Sequence, residues 1–155
     1  MTEQTKIDRI IQFFAEKGTP IEIITFQKST RTAEEAADAV GCQVAQIVKS
    51  LVLRNGETPL LFLVSGVNRL NLDALRPQFG QQLKMADADF TRAHTGFSIG
   101  GVPPAGHEKP ILTYLDETLM QFETVWAAAG TPNTVFKIKS FELQCHTGAS
   151  IIRVT

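Results

Sequence analysis

The apolar residues near the N-terminus recur at intervals of three and four positions, a spacing that places them on one face of an α-helix. We predict this helix from about Lys6 to Lys17, with Gly18 ending it. Its apolar face consists of Ile7, Ile10, Ile11 and Phe14. The chain is therefore expected to begin with an amphipathic helix that packs against a core.

Two apolar runs flank the dipeptide Asn55-Gly56, which is a strong signal for a tight hairpin turn. The first run covers residues 50–53 and the second covers residues 58–65. Both are apolar at consecutive rather than alternate positions. This pattern predicts a hairpin at the centre of a sheet, covered on both faces.

The remaining periodic segments are short and alternate between helix and strand. Further helices are predicted at residues 33–40, 71–79 and 87–94, with helical stretches at 43–48 and after Ser140; capping residues are Thr32 (in a capping box), Asn71, Asp87 and Ser140. Strands are predicted at 22–25, 83–85, 111–115, 124–128, 134–138 and 150–154. This order, with several hairpins in succession, favours an α+β fold with a mixed sheet over a doubly wound parallel one.

Composition narrows the class of protein. A chain of 155 residues is expected to form one domain, spanning residues 1–155. Fifteen basic and sixteen acidic residues argue against a stand-alone binder of long nucleic acid, although contact with a short nucleic-acid end stays open. Cys42 and Cys145 are too few for a disulfide framework and favour the reducing cytoplasm. No signal-peptide pattern and no run long enough for a membrane span is present in the sequence.

Lys49 is the first candidate for chemistry, because it interrupts an apolar run from Ile47 to Leu53. An ammonium group in such a run must reach water, find a partner or change its pKa. One interpretation is an edge lysine whose side chain extends to solvent. The other is a lysine that projects into a pocket and meets an anionic or carbonyl oxygen.

The second candidate is the segment from Gly96 to His107, which is too rich in glycine and proline to be regular throughout. Paired glycines allow close backbone approach, and paired prolines stiffen a loop. The segment could hold amide and carbonyl groups against a small polar ligand, or it could be a structural turn. It is neither a P-loop nor a dinucleotide fingerprint. A further segment, Gly130-Thr-Pro-Asn133, is by itself typical of a turn.

Other common catalytic patterns are missing from the sequence. The histidines (His94, His107 and His146) and the two cysteines have no metal-ligand spacing, so no metal site and no cofactor are predicted. Cys145 and His146 are adjacent and make a poor nucleophile–base pair. No serine elbow of the Gly-x-Ser-x-Gly type occurs.

Four segments together resemble the YbaK/prolyl-tRNA synthetase editing-domain family, and they occur in the family's order over nearly the whole chain. They are Ser29–Ala36, Ile47–Leu51, Gly100–Pro104 with His107, and Gly130–Asn133. The resemblance implies a mixed fold around a curved, largely antiparallel sheet flanked by short helices. It also implies a deacylase that hydrolyses the ester between a wrong amino acid and the 3′-terminal adenosine of tRNA. The expected partners are the acceptor end of an aminoacyl-tRNA and, as a second candidate, an aminoacyl-tRNA synthetase, with no membrane involved.

The resemblance also assigns roles to residues. Lys49 corresponds to the family's functional lysine, and His107 lies at a position that is often occupied in synthetase-fused members. The loop whose backbone would hold the terminal ribose and the ester consists of Gly100, Gly101, Val102, Pro103 and Pro104. Further substrate-binding positions, chosen by neighbourhood, are Thr30, Ser50, Gly130 and Thr131.

An aminoacyl ester is already activated, so its hydrolysis needs an oriented water and a stabilised oxyanion rather than a covalent nucleophile. Lys49 and fixed loop amides suit that task, and the vicinal 2′-hydroxyl of the substrate could position or deprotonate the water. Two other hypotheses remain open at this point. One is a non-catalytic ligand- or protein-binding module of the same fold, and the other is an enzyme that forms a lysine Schiff base.

Overall fold

The computed structural model describes residues 2–155, which form five α-helices, two short 3₁₀ helices and eight strands. The helices are α1 (Glu3–Glu16), α2 (Ala33–Val40), α3 (Leu72–Phe79), α4 (Ala88–Thr95) and α5 (Ser140–Thr147), with 3₁₀ helices at Val44–Gln46 and Glu117–Gln121. The strands are β1 (Ile23–Thr25), β2 (Ile47–Asn55), β3 (Thr58–Ser65), β4 (Leu83–Met85), β5 (Leu112–Asp116), β6 (Thr124–Ala128), β7 (Thr134–Lys139) and β8 (Ser150–Ile152).

All eight strands belong to one mixed sheet, in the order β1-β7-β6-β2-β3-β5-β8, with β4 paired separately to β2. Four pairings are antiparallel (β1 with β7, β2 with β3, β2 with β4, and β6 with β7). Three are parallel (β2 with β6, β3 with β5, and β5 with β8). The predicted α+β class, with a mixed and mainly antiparallel sheet, is confirmed.

The hairpin of β2 and β3 lies at the centre of this sheet, as the apolar runs predicted. Alternate side chains enter two separate cores, because successive strand residues point to opposite faces. Val48 and Val52 join the larger core, in which Phe14, Phe97 and Phe136 are fully buried. Leu53 and Phe62 join the smaller core beneath α3. Both faces are covered, which explains why the runs do not alternate with polar residues.

Local signals determine several helix ends. Thr32 and Glu35 form the predicted capping box of α2, and Gly41 ends that helix in the left-handed conformation, with φ of 75°. Asn71 and Asp87 cap α3 and α4.

Two local predictions are wrong. The stretch predicted to be helical over 43–48 is a single 3₁₀ turn, and β2 already begins at Ile47 because its apolar side chains are taken into the sheet. Ser140 does not cap α5: Lys139 holds the cap position, and the Ser140 hydroxyl instead donates to the Phe122 carbonyl at 2.5 Å. None of the helices within residues 2–155 combines the length and the apolar character that crossing a lipid bilayer requires.

Candidate active site

The site begins with a gap along one edge of β2. On one side β2 pairs with β3 along its length from Val48 to Asn55. On the other side β6 reaches only Ile47 and Val48, and β4 reaches only residues 53–55. No strand within residues 2–155 pairs with residues 49–51 on this side, so the sheet opens there.

Hydrogen bonds at both ends of β2 show which backbone groups face the gap. The Ile47 carbonyl accepts from Gly66, on the β3 side, whereas the Val52 carbonyl accepts from Ala86, on the β4 side. Because the direction of backbone polar groups alternates along a strand, the N–H and C=O of Ser50 point into the gap. The Ser50 side-chain oxygen is also buried and has no hydrogen-bond partner within residues 2–155.

The gap opens into a cleft that encloses about 170 Å³. Its floor is β2, and its walls come from α2, β6, the start of β7 and the loop before β5. Five of the predicted site residues line it: Thr30, Lys49, Ser50, Gly100 and Val102. The other lining residues are mostly apolar: Arg31, Thr32, Ala33, Ala36, Val40, Ile47, Val48, Leu51, Ile99, Trp126, Ala128 and Val135.

Lys49 is partly buried and lies where this cleft meets a second, more open groove that contains Gly66, Asn68 and Arg69. Its ammonium group donates a hydrogen bond to the Asn68 carbonyl. The pKa of Lys49 lies below its usual value, chiefly because burial disfavours the charged form. The Glu34 carboxylate raises this pKa, the Arg69 guanidinium lowers it further, and the Asp116 carboxylate raises it. The Lys49 ammonium is therefore partly desolvated and borders both the cleft and the groove.

The two glycines of the loop have different surroundings. Gly100 has φ of 91° and lines the cleft beside Arg31, whose Cγ lies 2.8 Å from where a Cβ on Gly100 would be. Gly101 instead faces the protein: a Cβ there would lie 2.9 Å from the backbone carbon of Thr131, and its N–H already donates to the Ser98 carbonyl at 2.9 Å. Of the two, only Gly100 borders the cleft.

The Gly130–Asn133 turn supports the site from behind. Thr30 donates to the Pro132 carbonyl twice, from its N–H at 2.7 Å and from its hydroxyl at 3.1 Å. Asn133 exchanges hydrogen bonds with the backbone of Phe26, at 2.7 and 2.9 Å. Thr131 is buried with its hydroxyl 2.6 Å from that of Thr134, and Gly130 packs against Phe97 and Lys6. Gly130 and Thr131 therefore hold neighbouring segments in place and do not line the cleft.

The structure does not bring the last part of the loop to the cleft. Pro103 and Pro104 are buried, and His107 packs 5.9 Å from the Phe97 ring, beside α1. The His107 Nε2 lies 2.8 Å from the Pro103 carbonyl, and since a carbonyl only accepts, this nitrogen carries the proton. Burial lowers the pKa of His107 to about 4, although the bond to Pro103 opposes this effect and Arg9 adds to it. This histidine is a neutral packing group on another side of the molecule.

Comparison with known proteins identifies the family to which this chain belongs. A family model of the aminoacyl-tRNA editing domain matches residues 27–145. The chain belongs to this family. It is 32% identical over 123 residues to the uncharacterized protein YwhH of Bacillus subtilis (strain 168), covering 79% of this chain and 78% of that protein.

The editing domain also resembles proteins associated with proline charging. It is 33% identical over 85 residues to a proline–tRNA ligase of Thermosipho africanus (strain TCF52B), a match that covers 54% of this chain but 15% of the ligase. A solved structure described provisionally as a trans-editing enzyme for prolyl tRNA synthetase is 44% identical, with a TM-score of 0.89 over 97% of this chain and 96% of that one. The editing domain therefore has the same fold over nearly its whole length.

Sequence reasoning missed several residues of this candidate site. Arg31 and Trp126 line the cleft, and Asn68 anchors the Lys49 ammonium. Arg31 lies within a segment that carried the family resemblance, so the signal was present. Trp126 reaches the cleft through the pairing of β6 with β2, and Asn68 reaches Lys49 through the turn that follows β3. No local sequence pattern marks either residue.

Proposed function

We propose that this editing domain is a trans-acting deacylase, which hydrolyses the ester between an amino acid and the 3′-terminal adenosine of a mischarged tRNA. One observation carries the proposal: the only lysine lining the described cleft is Lys49, which sits at the opening of β2 in a domain of the aminoacyl-tRNA editing family. Whole synthetases contain much more than this chain, so activity here means the hydrolytic step alone. We treat residues 1–155 as the single domain that performs it.

In this proposal a water attacks the ester carbonyl carbon, a new C–O bond forms, and the bond to the ribose O3′ breaks as that oxygen takes a proton. The Lys49 ammonium and the N–H of Gly100 stabilise the negative charge that develops on the carbonyl oxygen. The Gly101 amide, already donating to Ser98, is not part of this group. The Ser50 hydroxyl and its outward backbone groups provide further polar contacts on the floor.

The lining of the cleft favours a general base that belongs to the substrate. None of the described residues that line the cleft is Asp, Glu or His. We therefore assign the positioning or deprotonation of water to the vicinal 2′-hydroxyl of the terminal ribose. No cofactor is required by this scheme, because an ester is hydrolysed by water alone.

The walls indicate which amino acids fit. Ala36, Val40, Ala128 and Val135 form an apolar surface, with Trp126 beside them, and about 170 Å³ is enclosed. We propose that the domain accepts small uncharged side chains and excludes large or charged ones. One methylene contributes only about 1–3 kcal/mol to discrimination, so synthetases that handle similar amino acids benefit from a separate hydrolytic check.

We propose that the partner is the acceptor end of tRNA, with Arg31 and Arg69 at the entrance as the cations nearest to its phosphates. The net charge of −1 fits contact with a short end rather than a long duplex. The resemblance to proline–tRNA ligases supports a synthetase as a second partner that delivers the tRNA. Because charged tRNA is used in translation, we place the activity in the cytoplasm.

A deacylation screen over a panel of mischarged tRNAs tests the proposal. We expect release of small uncharged amino acids by the wild-type protein and not by Lys49→Ala. If no member of the panel is hydrolysed faster by the wild type than by this variant, the deacylase assignment fails. Binding of mischarged tRNA without turnover would support the binding-module alternative instead, and trapping of a substrate on Lys49 by borohydride would support a Schiff-base enzyme.

A further inference from the structure

Asp116 is a carboxylate buried at the end of β5, with 1% of its surface exposed. One of its oxygens, Oδ2, accepts from the Ser65 N–H at 3.0 Å and from the Asn68 side-chain amide at 2.8 Å. The other, Oδ1, accepts from the Thr118 N–H at 2.9 Å. Asp116 forms no ion pair with any residue in the range 2–155. A buried charge is costly unless hydrogen-bonded. Two of its three donors, Ser65 and Asn68, belong to one short turn, and the third, Thr118, follows Asp116 in the chain.

That turn spans residues 65–68 and is held by hydrogen bonds and close packing. The Asn68 N–H donates to the Ser65 carbonyl at 2.9 Å, and the Ser65 hydroxyl donates to the Ala45 carbonyl at 2.7 Å. Gly66 packs so closely on Val44 and Ala33 that no side chain fits there; a Cβ would lie 2.8 Å from the Cβ of Ala33. The position of the Asn68 backbone is therefore determined by its surroundings.

The Asn68 side chain joins this turn to the end of β5. Its amide nitrogen donates to Asp116 and also to the Thr118 hydroxyl, at 2.9 Å. Because an ionised carboxylate only accepts, the orientation of the Asn68 amide group is settled by Asp116. The backbone carbonyl of Asn68 accepts the hydrogen bond from the Lys49 ammonium.

We propose that Asp116 is a positioning residue for Lys49, acting through Asn68. This inference rests on the proposed function, because Lys49 is the group that it positions for hydrolysis. An ammonium has three N–H donors. One of them is engaged by the fixed Asn68 carbonyl, which sets the location of the nitrogen and leaves two donors for the substrate.

The Asp116 charge has a second effect on the same ammonium. Burial disfavours the charged form of Lys49, and the carboxylates of Glu34 and Asp116 oppose this, while Arg69 reinforces it. Glu34 belongs to the exposed start of α2 and Arg69 is exposed after the turn, so Asp116 is the buried member of the three. Removing its charge is expected to lower the pKa of Lys49 further and to shift the alkaline loss of activity to lower pH.

The first test is Asp116→Asn. One oxygen of the carboxylate is replaced by an NH₂ donor. In one orientation this donor faces the Thr118 N–H, and in the other it faces the Ser65 N–H and the Asn68 amide. We expect kcat for deacylation to fall by about 10²-fold with KM nearly unchanged, since small misplacements of a reacting group have effects of that size. The alkaline limb of the pH–rate profile should move to lower pH.

A matched pair at position 118 keeps the test informative if Asp116→Asn does not fold. Thr118→Val removes the hydroxyl that accepts from Asn68, and Thr118→Ser retains it. We expect Thr118→Val to lower kcat by roughly 10-fold, in line with the effect of lost supporting contacts. Thr118→Ser should keep the wild-type kcat. Thr113→Val, which removes a hydroxyl from β5 that bonds only the Ile111 carbonyl among the described residues, is the control and should behave as wild type.

A titration of Lys49 by side-chain NMR separates this inference from the proposed function, because it needs no substrate. With ¹³C-labelled lysine, the Lys49 signal is assigned by its absence in Lys49→Ala, and its pKa is expected to be lower in Asp116→Asn than in the wild type. An unchanged Lys49 pKa together with wild-type kcat in Asp116→Asn would overturn the inference. So would equal losses in Thr118→Val, Thr118→Ser and Thr113→Val. If the wild type deacylates nothing, the proposed function fails, and the titration alone decides whether Asp116 acts on Lys49.

Discussion

Lys49 and His107 are both partly buried ionisable groups, and burial lowers the pKa of each. Their surroundings differ. Lys49 borders empty volume and has charged groups from three parts of the fold nearby. His107 instead donates to a carbonyl four residues away in its own loop and packs on Phe97. A shifted pKa therefore does not by itself identify a catalytic group; contact with a space that a substrate could enter is also required.

The same loop connects these two regions. Gly100 lines the cleft, whereas Pro104 and His107 border a separate depression next to α1. The loop crosses from one side of the molecule to the other within eight residues. A residue that follows a cleft residue closely in sequence can therefore lie on another side of the molecule.

The largest effect expected from this comparison concerns the base. If the substrate's 2′-hydroxyl performs that role, mischarged tRNA ending in 2′-deoxyadenosine should bind but be hydrolysed roughly 10²–10⁴-fold more slowly. His107→Ala should retain substantial activity on normal substrate. Single-turnover deacylation of both substrates measures this. Fast hydrolysis of the deoxy substrate, combined with an inactive His107→Ala variant, would reverse the roles assigned to the two regions.

Lys49→Ala should lower kcat by about 10²–10³-fold, the range found when one oxyanion-stabilising group is removed. Thermal unfolding should hardly change, because the side chain contributes a costly buried charge rather than packing. Lys49→Arg should also be poor, since a planar guanidinium does not replace a compact ammonium. Lys139→Ala, on the exposed end of β7, is the matched control. Wild-type turnover in Lys49→Ala would make this lysine structural.

At His107 we expect an effect on stability rather than on rate. Its pKa is about 4 in the folded state and 6.5 when unperturbed, so between these values the unfolded chain binds a proton that the folded chain does not. Stability must therefore fall as the pH drops from about 6.5 to 4, by up to about 3 kcal/mol from this group. In His107→Gln that part of the acid loss should disappear, and in His94→Gln it should remain. Urea unfolding at several pH values measures this; an unchanged acid slope in His107→Gln would contradict it.

Much of the fold follows from local sequence patterns. The Asn55-Gly56 turn, the Thr32 capping box and the continuous apolar strands each have one favourable structure, and each was predicted correctly. Lys49 was also selected as a candidate from sequence, because a cation in an apolar run is unusual, and the structure places it at the edge of the cleft. These signals act over a few residues, so no tertiary information is needed to read them.

Long-range contacts explain what the sequence could not show. Asp116 lies one residue beyond the strand predicted at 111–115, and its partner Asn68 is 48 positions away. Gly101 carried the same signal as Gly100, since a glycine that admits a ligand and one that admits another backbone look alike in sequence. Only the meeting of two distant loops, at Gly101 and Thr131, distinguishes them.

The smallest effects should separate these two glycines. Gly101→Ala places a Cβ 2.9 Å from the Thr131 backbone, which cannot rotate away, so we expect a loss of about 1–3 kcal/mol in the free energy of unfolding. Gly100→Ala meets only the flexible Arg31 side chain and carries the cost of a left-handed residue, about 1–2 kcal/mol. Because Gly100 lines the cleft, its variant should lose more activity than its stability explains.

Gly41→Ala is the control for backbone strain, because Gly41 also has a positive φ, of 75°, but nothing lies within 4 Å of the added Cβ. Urea unfolding and deacylation are measured on all three variants. We expect Gly41→Ala and Gly100→Ala to be similarly stable, with only Gly100→Ala impaired in turnover. If Gly101→Ala instead kept its stability and lost activity, the close approach at this position would be to substrate, and the cleft would extend to the second glycine.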